Sequence, residues 1–403
     1  MNSSDYLISV IVPLYRGQKY MAKMTAQIEA CAAYLEDGRI ELVYSNDEPD
    51  EQPENPETSS VISVRFLETD QNRGIHGARV RGFENSSGEY VLFLDQDDKI
   101  VPDYFVSQLQ AIGREDAVVC NAVSGGRLKY DADRSLPDAA SRACMVQKGN
   151  QILSPGQVLM KRSAVPGCWL RHILCHNGAD DWLLWLCMHG EGKRFTVNAR
   201  VLFIREVHYH NASLDCGKMT LSEREVYRIV EENRLLTDGE RTALAALLPM
   251  LQEQRMRENE KWKRMFLLLR DWFLLEHRGL SLAGYLRERG VCLIAVYGYG
   301  YLGRTVVEQL TGTAQMSGNG GIASDNKDSK KVETAYIIDK NAAFLRAERP
   351  CYTLEDALPP ADGVLITVMT GEAGGLAERI REKLKVPVFC LETVIGEMTA
   401  EYA

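Results

Sequence analysis

Three carboxylates stand within four positions at the end of an apolar run. Residues 90–94 have the length and composition of a buried strand, and Asp95, Asp97 and Asp98 follow them. Like charges this close together repel one another, and a bound hard cation would relieve the repulsion. The spacing therefore predicts a site for Mg²⁺ or Mn²⁺ with a phosphate-bearing ligand. The alternative is an acidic loop that simply follows a strand, which is the commoner outcome for an isolated Asp-x-Asp.

A second acidic pair opens a helical pattern further along the chain. Asp180 and Asp181 precede the apolar residues 182–186, and Asn177 is a candidate cap for this helix. Acids in a first helical turn also complement the helix dipole, so their position alone gives them no chemical role. Such a role depends on what surrounds the pair.

The elements around the first group of acids predict an α/β fold. Strand-like runs at 7–14, 42–44 and 61–67 alternate with helical patterns at 21–35 and 77–85 before the strand at 90–94. This order predicts a parallel sheet with helices on its faces. In such sheets ligands bind beyond the carboxyl ends of the strands, where Tyr15, Asp47 and Asp95 emerge. Three strand ends thus bring polar groups to one edge.

Several segments occur in an order and spacing that match a known family. They are Ile8-Ser9-Val10-Ile11-Val12-Pro13-Leu14-Tyr15, Ser45-Asn46-Asp47, Asn72-Arg73-Gly74 with Ala78-Arg79, and Gly88-Glu89-Tyr90 leading into Asp95-Gln96-Asp97-Asp98. Together they resemble the family 2 glycosyltransferases of the GT-A fold, over about the first 215 residues. The resemblance implies transfer of a sugar from a nucleotide-diphosphate donor, a UDP-sugar first of all, with inversion at the anomeric carbon.

The resemblance also implies which residues hold the donor. Donor contacts are implied for Pro13, Tyr15, Asp47, Arg73, Asp95 and Asp97. The last two, with Asp98, would hold the divalent metal, Mn²⁺ or Mg²⁺. The chain departs from the family pattern at Asn46 and Glu48, which replace an Asp and a Gly, and at Val80, where an Asn is common. The donor base is therefore less firmly implied than the fold.

The same family carries its general base in a Glu-Asp pair followed by Trp. Asp181 matches the second acid, Asp180 takes the place of the Glu, and Trp182 follows. An inverting transfer needs one carboxylate to accept the proton of the incoming hydroxyl while the metal stabilises the departing diphosphate. His208 and His210 follow a later strand pattern, and either could meet the metal or the diphosphate; the alternative is a surface histidine.

A second α/β pattern fills the last part of the chain. A buried-strand pattern runs into Gly298, Gly300 and Gly303, the Gly-x-Gly-x-x-Gly of a dinucleotide-type fold, and Asp339 ends the next strand. This resembles the small Rossmann-like units appended to some bacterial glycosyltransferases. A polar insert near 312–332 carries Asp339 beyond the usual spacing. NAD-type binding here is therefore less favoured than a structural or oligomer-forming role.

Between the two α/β patterns the sequence predicts a helical connector. Its aromatic stripe consists of Trp262, Met265, Phe266, Leu269, Trp272 and Phe273, flanked by basic residues. Such a stripe could lie on a membrane surface near a lipid-linked acceptor, although packing between domains or against a second copy is commoner. The predicted domains are thus a GT-A domain over 1–215, the connector over 216–290 and a Rossmann-like domain over 291–403.

Composition restricts the class of protein. The length of 403 residues predicts two or three domains, and a net charge of −9 argues against nucleic acid as a partner. The ten cysteines include no Cys-x-x-Cys pair. There is no signal-peptide pattern and no uncharged apolar run of about 18 residues. These features predict reduced thiols and a cytoplasmic location, extended to the inner face of the membrane if the aromatic stripe binds there.

The functional prediction is a metal-dependent, inverting glycosyltransferase that acts on a glycan or lipid-linked precursor of a cell-surface polymer. The alternative is a binding or scaffold protein that keeps the fold without turnover. Base and metal motif are both present, which favours the enzyme because a non-catalytic descendant is free to lose either. An oxidoreductase built on the glycine motif comes third, since no catalytic His, Tyr or Lys constellation accompanies the glycines.

Overall fold

The computed structural model forms two compact units, Met1–Met256 and Arg257–Ala403. The described residues are 6–36, 39–50, 59–124, 127–205, 215–312, 331–342, 345, 347–369 and 373–401. His208 and His210, with most of the insert predicted near 312–332, lie outside them. The three-part division predicted from the sequence stays a prediction.

The N-terminal unit alternates strands and helices as the sequence predicts. Its strands are β1 Ile8–Leu14, β2 Ile40–Asn46, β3 Ser63–Leu67, β4 Tyr90–Phe93, β5 Lys99–Ile100, β6 Ala117–Ser124, β7 Arg127–Leu128, β8 Val158–Lys161 and β9 Phe195–Arg205. Its helices are α1 Gln18–Ala32, α2 Gly74–Glu84, α3 Tyr104–Ile112, α4 Ser135–Ala139, α5 Arg142–Gln147, α6 Gly167–Arg171, α7 Asp180–Gly190 and α8 Cys216–Glu232. Helix α9, Asp238–His277, runs through the division between the units. The predicted elements are confirmed, with their bounds shifted by a few residues.

The sheet of the N-terminal unit is parallel on one side and mixed on the other. Its strand order is β3-β2-β1-β4-β8-β6-β9-β5, with β7 paired to β6. β1 pairs in parallel with both β2 and β4, and β2 with β3, so the predicted parallel arrangement is confirmed there. Beyond β4 it does not continue, because β8 runs antiparallel to both β4 and β6. Every residue of β1 is buried, which explains why all of them except Ser9 are apolar.

Gly88 occupies a position where the fold leaves no room for a side chain. A Cβ there would lie 2.5 Å from Ser9 N, a backbone atom of β1. We expect Gly88→Ala to lower the free energy of unfolding by about 1–3 kcal/mol, the usual cost of overpacking, as measured by urea denaturation. Gly239→Ala is the matched control, because a Cβ at Gly239 meets nothing within 4 Å. Unchanged stability of Gly88→Ala would show that the loop before β4 can shift.

The C-terminal unit is built on a five-stranded sheet. Besides the end of α9, its elements are α10 Leu282–Glu288, β10 Leu293–Tyr297, α11 Tyr301–Gly312, β11 Glu333–Ile338, β12 Cys351–Tyr352, β13 Gly363–Ile366, α12 Ala373–Leu384, β14 Val388–Cys390 and α13 Leu391–Glu401. The strand order is β12-β11-β10-β13-β14, and every neighbouring pair is parallel. Strand addition reverses direction between β10 and β13, as in doubly wound folds. The second α/β pattern predicted from the sequence is confirmed.

The aromatic stripe of α9 is divided between core and surface. Trp272 is 4% exposed and belongs to the core of the C-terminal unit with Leu268 and Leu275. Phe266 and Phe273 are 66% and 69% exposed. Packing in the core therefore explains why residue 272 is aromatic, but it does not explain the aromatic residues at 266 and 273. No helix in the described part of the chain is long and apolar enough to cross a membrane.

Candidate active site

The carboxyl ends of β1, β2 and β4 meet at one edge of the N-terminal sheet, because these strands are parallel neighbours. Tyr15 follows β1 and is 47% exposed, Asp47 follows β2, and Asp95 follows β4 after one intervening residue. The Gln96 amide accepts from Tyr15 N at 3.1 Å and donates to Tyr15 O at 3.3 Å. Gly17 faces this bridge, since a Cβ there would lie 2.2 Å from Gln96 Oε1. The loops after β1 and β4 are thereby held together.

Asp47 fixes the loop that leads into α2. It is 5% exposed, and its Oδ1 accepts a hydrogen bond from Arg73 N at 2.8 Å. Burial raises the pKa of Asp47, although this hydrogen bond and the Arg81 guanidinium act in the opposite direction. The Arg73 residue itself is exposed, and Pro13 is buried within β1. The structure therefore brings Asp47 and Arg73 together and gives Asp47 a part in positioning Arg73.

The three carboxylates after β4 have different surroundings. Asp95 forms an ion pair with Arg79. Asp98 is 6% exposed and accepts a hydrogen bond from Ser154 Oγ at 2.9 Å. Burial and the neighbouring Asp95 charge raise the pKa of Asp98 well above its usual value. Asp97 is half-buried, and a cavity of about 200 Å³ between α1 and this loop is lined in part by Asp97 and Asp98.

The acids at this edge suit a divalent metal by their chemistry. Carboxylate oxygens are the ligands that Mg²⁺ and Mn²⁺ prefer. Within the described ranges, no three His, Cys, Asp or Glu side chains form a ready metal cluster. Mg²⁺ is commonly held by one or two carboxylates, with substrate phosphates completing its shell, so Asp95 and Asp97 fit in type and number. The repulsion from Asp95 and Asp97 that helps to raise the pKa of Asp98 is of the kind that a cation relieves.

Arg79 connects Asp95, in the loop after β4, with Asp180 at the start of α7. Its Nη1 donates to Asp180 Oδ2 at 2.5 Å, and its Nη2 donates to Asp95 Oδ1. The side chains of Arg79 and Asp180 are each 4% exposed. Trp169 Nε1 donates to Asp180 O at 2.8 Å, which adds a contact at the start of α7. The Asp180 carboxylate is thus engaged in a buried ion pair.

Asp181 lies beside Asp180 in a different environment. It is half-buried, and its Oδ2 accepts a hydrogen bond from Asn150 Nδ2 at 2.8 Å. Burial and the Asp180 charge raise the pKa of Asp181 to about 7, although Arg79 acts in the opposite direction. A carboxylate that ionises near neutral pH is well suited to accept a proton. The two acids of the pair are therefore distinguished by their partners.

Two residues of this arrangement were missed as site residues in the sequence. Arg79 lies within the buried part of α2, and a charged residue there is the signal that could have indicated a buried ion pair. Asn150 stands in no motif that would have revealed its bond to Asp181. The predicted capping role of Asn177 is wrong: Ala179 precedes α7, and Asn177 Oδ1 instead accepts from Ile75 N at 3.0 Å.

Packing explains part of the glycine motif in the C-terminal unit. Gly298 has a φ of +92°, and a Cβ on Gly303 would lie 1.9 Å from Gly298 O. Asp339 is engaged by the backbone, with Oδ2 accepting from Tyr299 N at 2.8 Å and Oδ1 from Asn341 N at 2.9 Å. These contacts agree with a structural role for the motif, and a second nucleotide site at this loop stays a prediction.

Comparison with known proteins finds glycosyltransferases that are similar to part of the chain. The chain is 32% identical over 120 residues to the putative glycosyltransferase EpsH of Bacillus subtilis, covering 28% of this chain and 33% of EpsH. It is 38% identical over 102 residues to the glycosyltransferase GlyA of Streptococcus pneumoniae, covering 25% of this chain and 14% of GlyA. The chain thus spans a third or less of the length of these two relatives.

Among solved structures, the chain is similar to residues 1–349 of S. aureus TarS, crystallised with UDP-GlcNAc. The TM-score is 0.47 at 17% identity, covering 60% of this chain and 71% of the TarS chain. A similarity of this size is too weak to support a conclusion about ligands or activity.

A family model described as glycosyl transferase family 2 matches residues 9–167. The match begins within β1 and ends at the first residue of α6, so it contains the sheet edge with Asp47, Asp95 and Asp97. The resemblance inferred from the sequence motifs and the GT-A assignment are confirmed by this match. The chain is therefore similar to glycosyl transferase family 2 over residues 9–167 of its N-terminal unit.

Proposed function

We propose that the chain transfers a sugar from a nucleotide-diphosphate donor to a hydroxyl group, with inversion and with help from a divalent metal. The donor class is UDP-sugars first, and the acceptor is a glycan or lipid-linked precursor of a cell-surface polymer. One arrangement carries the proposal. Asp180 and Asp95, of the loop after β4, share the buried Arg79, while burial and the Asp180 charge raise the pKa of the neighbouring Asp181 to about 7.

The proposed chemistry divides the work between the two groups of acids. Asp181 takes the proton of the acceptor hydroxyl as its oxygen attacks the anomeric carbon. The bond from that carbon to the diphosphate breaks on the opposite face, so the configuration inverts and the electron pair leaves with the nucleoside diphosphate. Asp95 and Asp97 would hold the metal, which when bound supplies positive charge to the leaving group. No covalent intermediate on the protein is needed, so one base suffices.

Ligand-induced stabilisation of the full chain tests the proposal. We expect one nucleotide class among UDP-, GDP- and TDP-sugars to raise the melting temperature by roughly 5–10 °C at about 100 times its Kd, because only the folded state binds it. The rise should need Mn²⁺ or Mg²⁺ and disappear with EDTA, and the same sugar nucleotide should be hydrolysed slowly. Stabilisation by NAD alone, with no sugar nucleotide bound or hydrolysed, would favour the non-catalytic alternative.

A further inference from the structure

We propose that Arg79 is a positioning residue: it holds Asp95, a proposed metal ligand, at a fixed distance from α7, the helix that bears Asp181. This inference rests on the proposed function and adds a residue to it. Arg79 lies in α2, Asp95 lies in the loop after β4, and Asp180 opens α7. One guanidinium contacts both acids, so elements distant in sequence are joined at a single side chain.

The geometry of this contact calls for arginine. Nη1 binds Asp180 and Nη2 binds Asp95, so the two carboxylates are held by different nitrogens of one rigid, planar group. A lysine would offer one compact ammonium on a flexible stem and could not keep the two acids at the same separation. Because Asp180 immediately precedes Asp181, the orientation of α7 set by Arg79 also sets the place of the proposed base.

The surroundings leave few substitutes for this contact. Arg79 is 3% exposed, and its Nε has no hydrogen-bond partner among the described residues. The nearby His76 is also buried, and burial lowers its pKa to about 4, so it is neutral at physiological pH and cannot replace the arginine charge. Side-chain anchoring of Arg79 therefore comes from Asp95 and Asp180.

Manganese binding tests the inference without relying on turnover. In wild type and variants, Mn²⁺ affinity is measured by electron paramagnetic resonance with the nucleoside diphosphate of the stabilising donor present. We expect Arg79→Lys to weaken Mn²⁺ binding by about 10-fold and to lower kcat by about 100-fold, since small misplacements of catalytic groups have effects of that size. Circular dichroism and the melting temperature show whether the variant is folded.

Asp180→Asn provides a second variant of nearly unchanged volume. Asp180 lies outside the proposed metal ligands, so a purely local role predicts unchanged Mn²⁺ binding. If Asp180 acts on the metal site through Arg79, Asp180→Asn should weaken Mn²⁺ binding by about 3-fold or more. The double variant should bind Mn²⁺ no more weakly than Arg79→Lys alone, because both changes break the same bridge. Native Mn²⁺ affinity in both single variants, with only a lower melting temperature, would reduce Arg79 to a structural residue and overturn the inference.

Arg162→Lys is the matched control. Arg162 is a half-buried arginine at the opposite end of the sheet, where its Nε donates to Gly88 O at 2.7 Å and its Nη1 to Phe83 O at 3.1 Å. Its replacement should change Mn²⁺ affinity and kcat by less than about 2-fold even if stability falls. If wild type itself binds no Mn²⁺ with any nucleoside diphosphate, the metal-dependent function fails and the inference with it. If wild type binds Mn²⁺ and the Arg79 and Asp180 variants bind it with native affinity, the inference about Arg79 fails while the proposed function stands.

Discussion

Replacement of Asp181 by Asn is expected to remove sugar transfer while leaving the protein folded. The amide keeps the shape of the side chain but cannot accept a proton, and loss of a general base commonly costs about 10²–10⁴-fold in kcat. Transfer is measured as release of the nucleoside diphosphate in the presence of acceptor. Donor binding should change little, because the proposed donor contacts belong to β1, to the loops after β1, β2 and β4, and to the loop before α2, and do not include Asp181.

The pH dependence of the wild type gives a second measurement of the same role. Since the pKa of Asp181 is raised to about 7, kcat/KM should rise with pH and level off above about 7, and Asp181→Asn should lose this dependence.

A raised pKa means that the folded state holds the proton more tightly than the unfolded state. The contribution of Asp181 to stability is therefore full below about pH 4 and is lost as the pH rises to about 7. At pH 8 the Asn variant should melt no lower than wild type.

Asp116→Asn is the control for this experiment. Asp116 lies just before β6, and its Oδ2 accepts a hydrogen bond from Arg194 N at 2.8 Å, away from the edge that carries the site. Its transfer rate should stay within about 2-fold of wild type, as for most substitutions outside a site. If Asp181→Asn kept near-normal transfer, the base would have to be another residue.

The second large effect is expected at Asp97. We expect Asp97→Asn to lower kcat/KM by about 10²–10⁴-fold, because a bound metal is worth several kcal/mol of stabilisation to a developing charge. Metal-dependent stabilisation by the donor should be lost as well, which calorimetry with Mn²⁺ can measure separately from turnover.

Asp98→Asn is a closely matched comparison, since it removes one carboxylate one position further on. Asp98 is buried and receives the Ser154 hydroxyl bond, so an amide oxygen can take over its acceptor role. We therefore expect Asp98→Asn to keep metal-dependent donor binding within a few-fold of wild type. The reverse result, with Asp98→Asn losing the metal and Asp97→Asn keeping it, would exchange the roles proposed for the two acids.

Local patterns in the sequence were enough to predict the edge of the sheet. The apolar runs that precede Tyr15, Asp47 and Asp95 each indicate a buried strand. Because the strands are parallel, their carboxyl ends meet at one edge, and no side-chain contact needs to be known to predict this. The antiparallel entry of β8 was not predicted, because a short apolar run does not indicate the direction in which it pairs.

The internal partners of the site could not be predicted in the same way. Arg79 and Asp180 are separated by 101 positions, and Asn150 and Asp181 by 31, so neither pair leaves a periodic signal. The sequence presented Asp180 and Asp181 as adjacent and chemically identical acids. Their difference comes from tertiary contacts, since one meets a buried guanidinium and the other an amide.

The bridge between Gln96 and Tyr15 has a consequence for attempts to change donor choice. Residue 96, between the two acids proposed to hold the metal, is an obvious position to randomise in a directed-evolution library. Its side-chain oxygen would lie 2.2 Å from a Cβ at Gly17, so the space for a new side chain at 96 depends on glycine being kept at 17. A side chain at position 17 would compete for space with the side chain at position 96. A library that varies Gln96 is therefore best screened with Gly17 held constant.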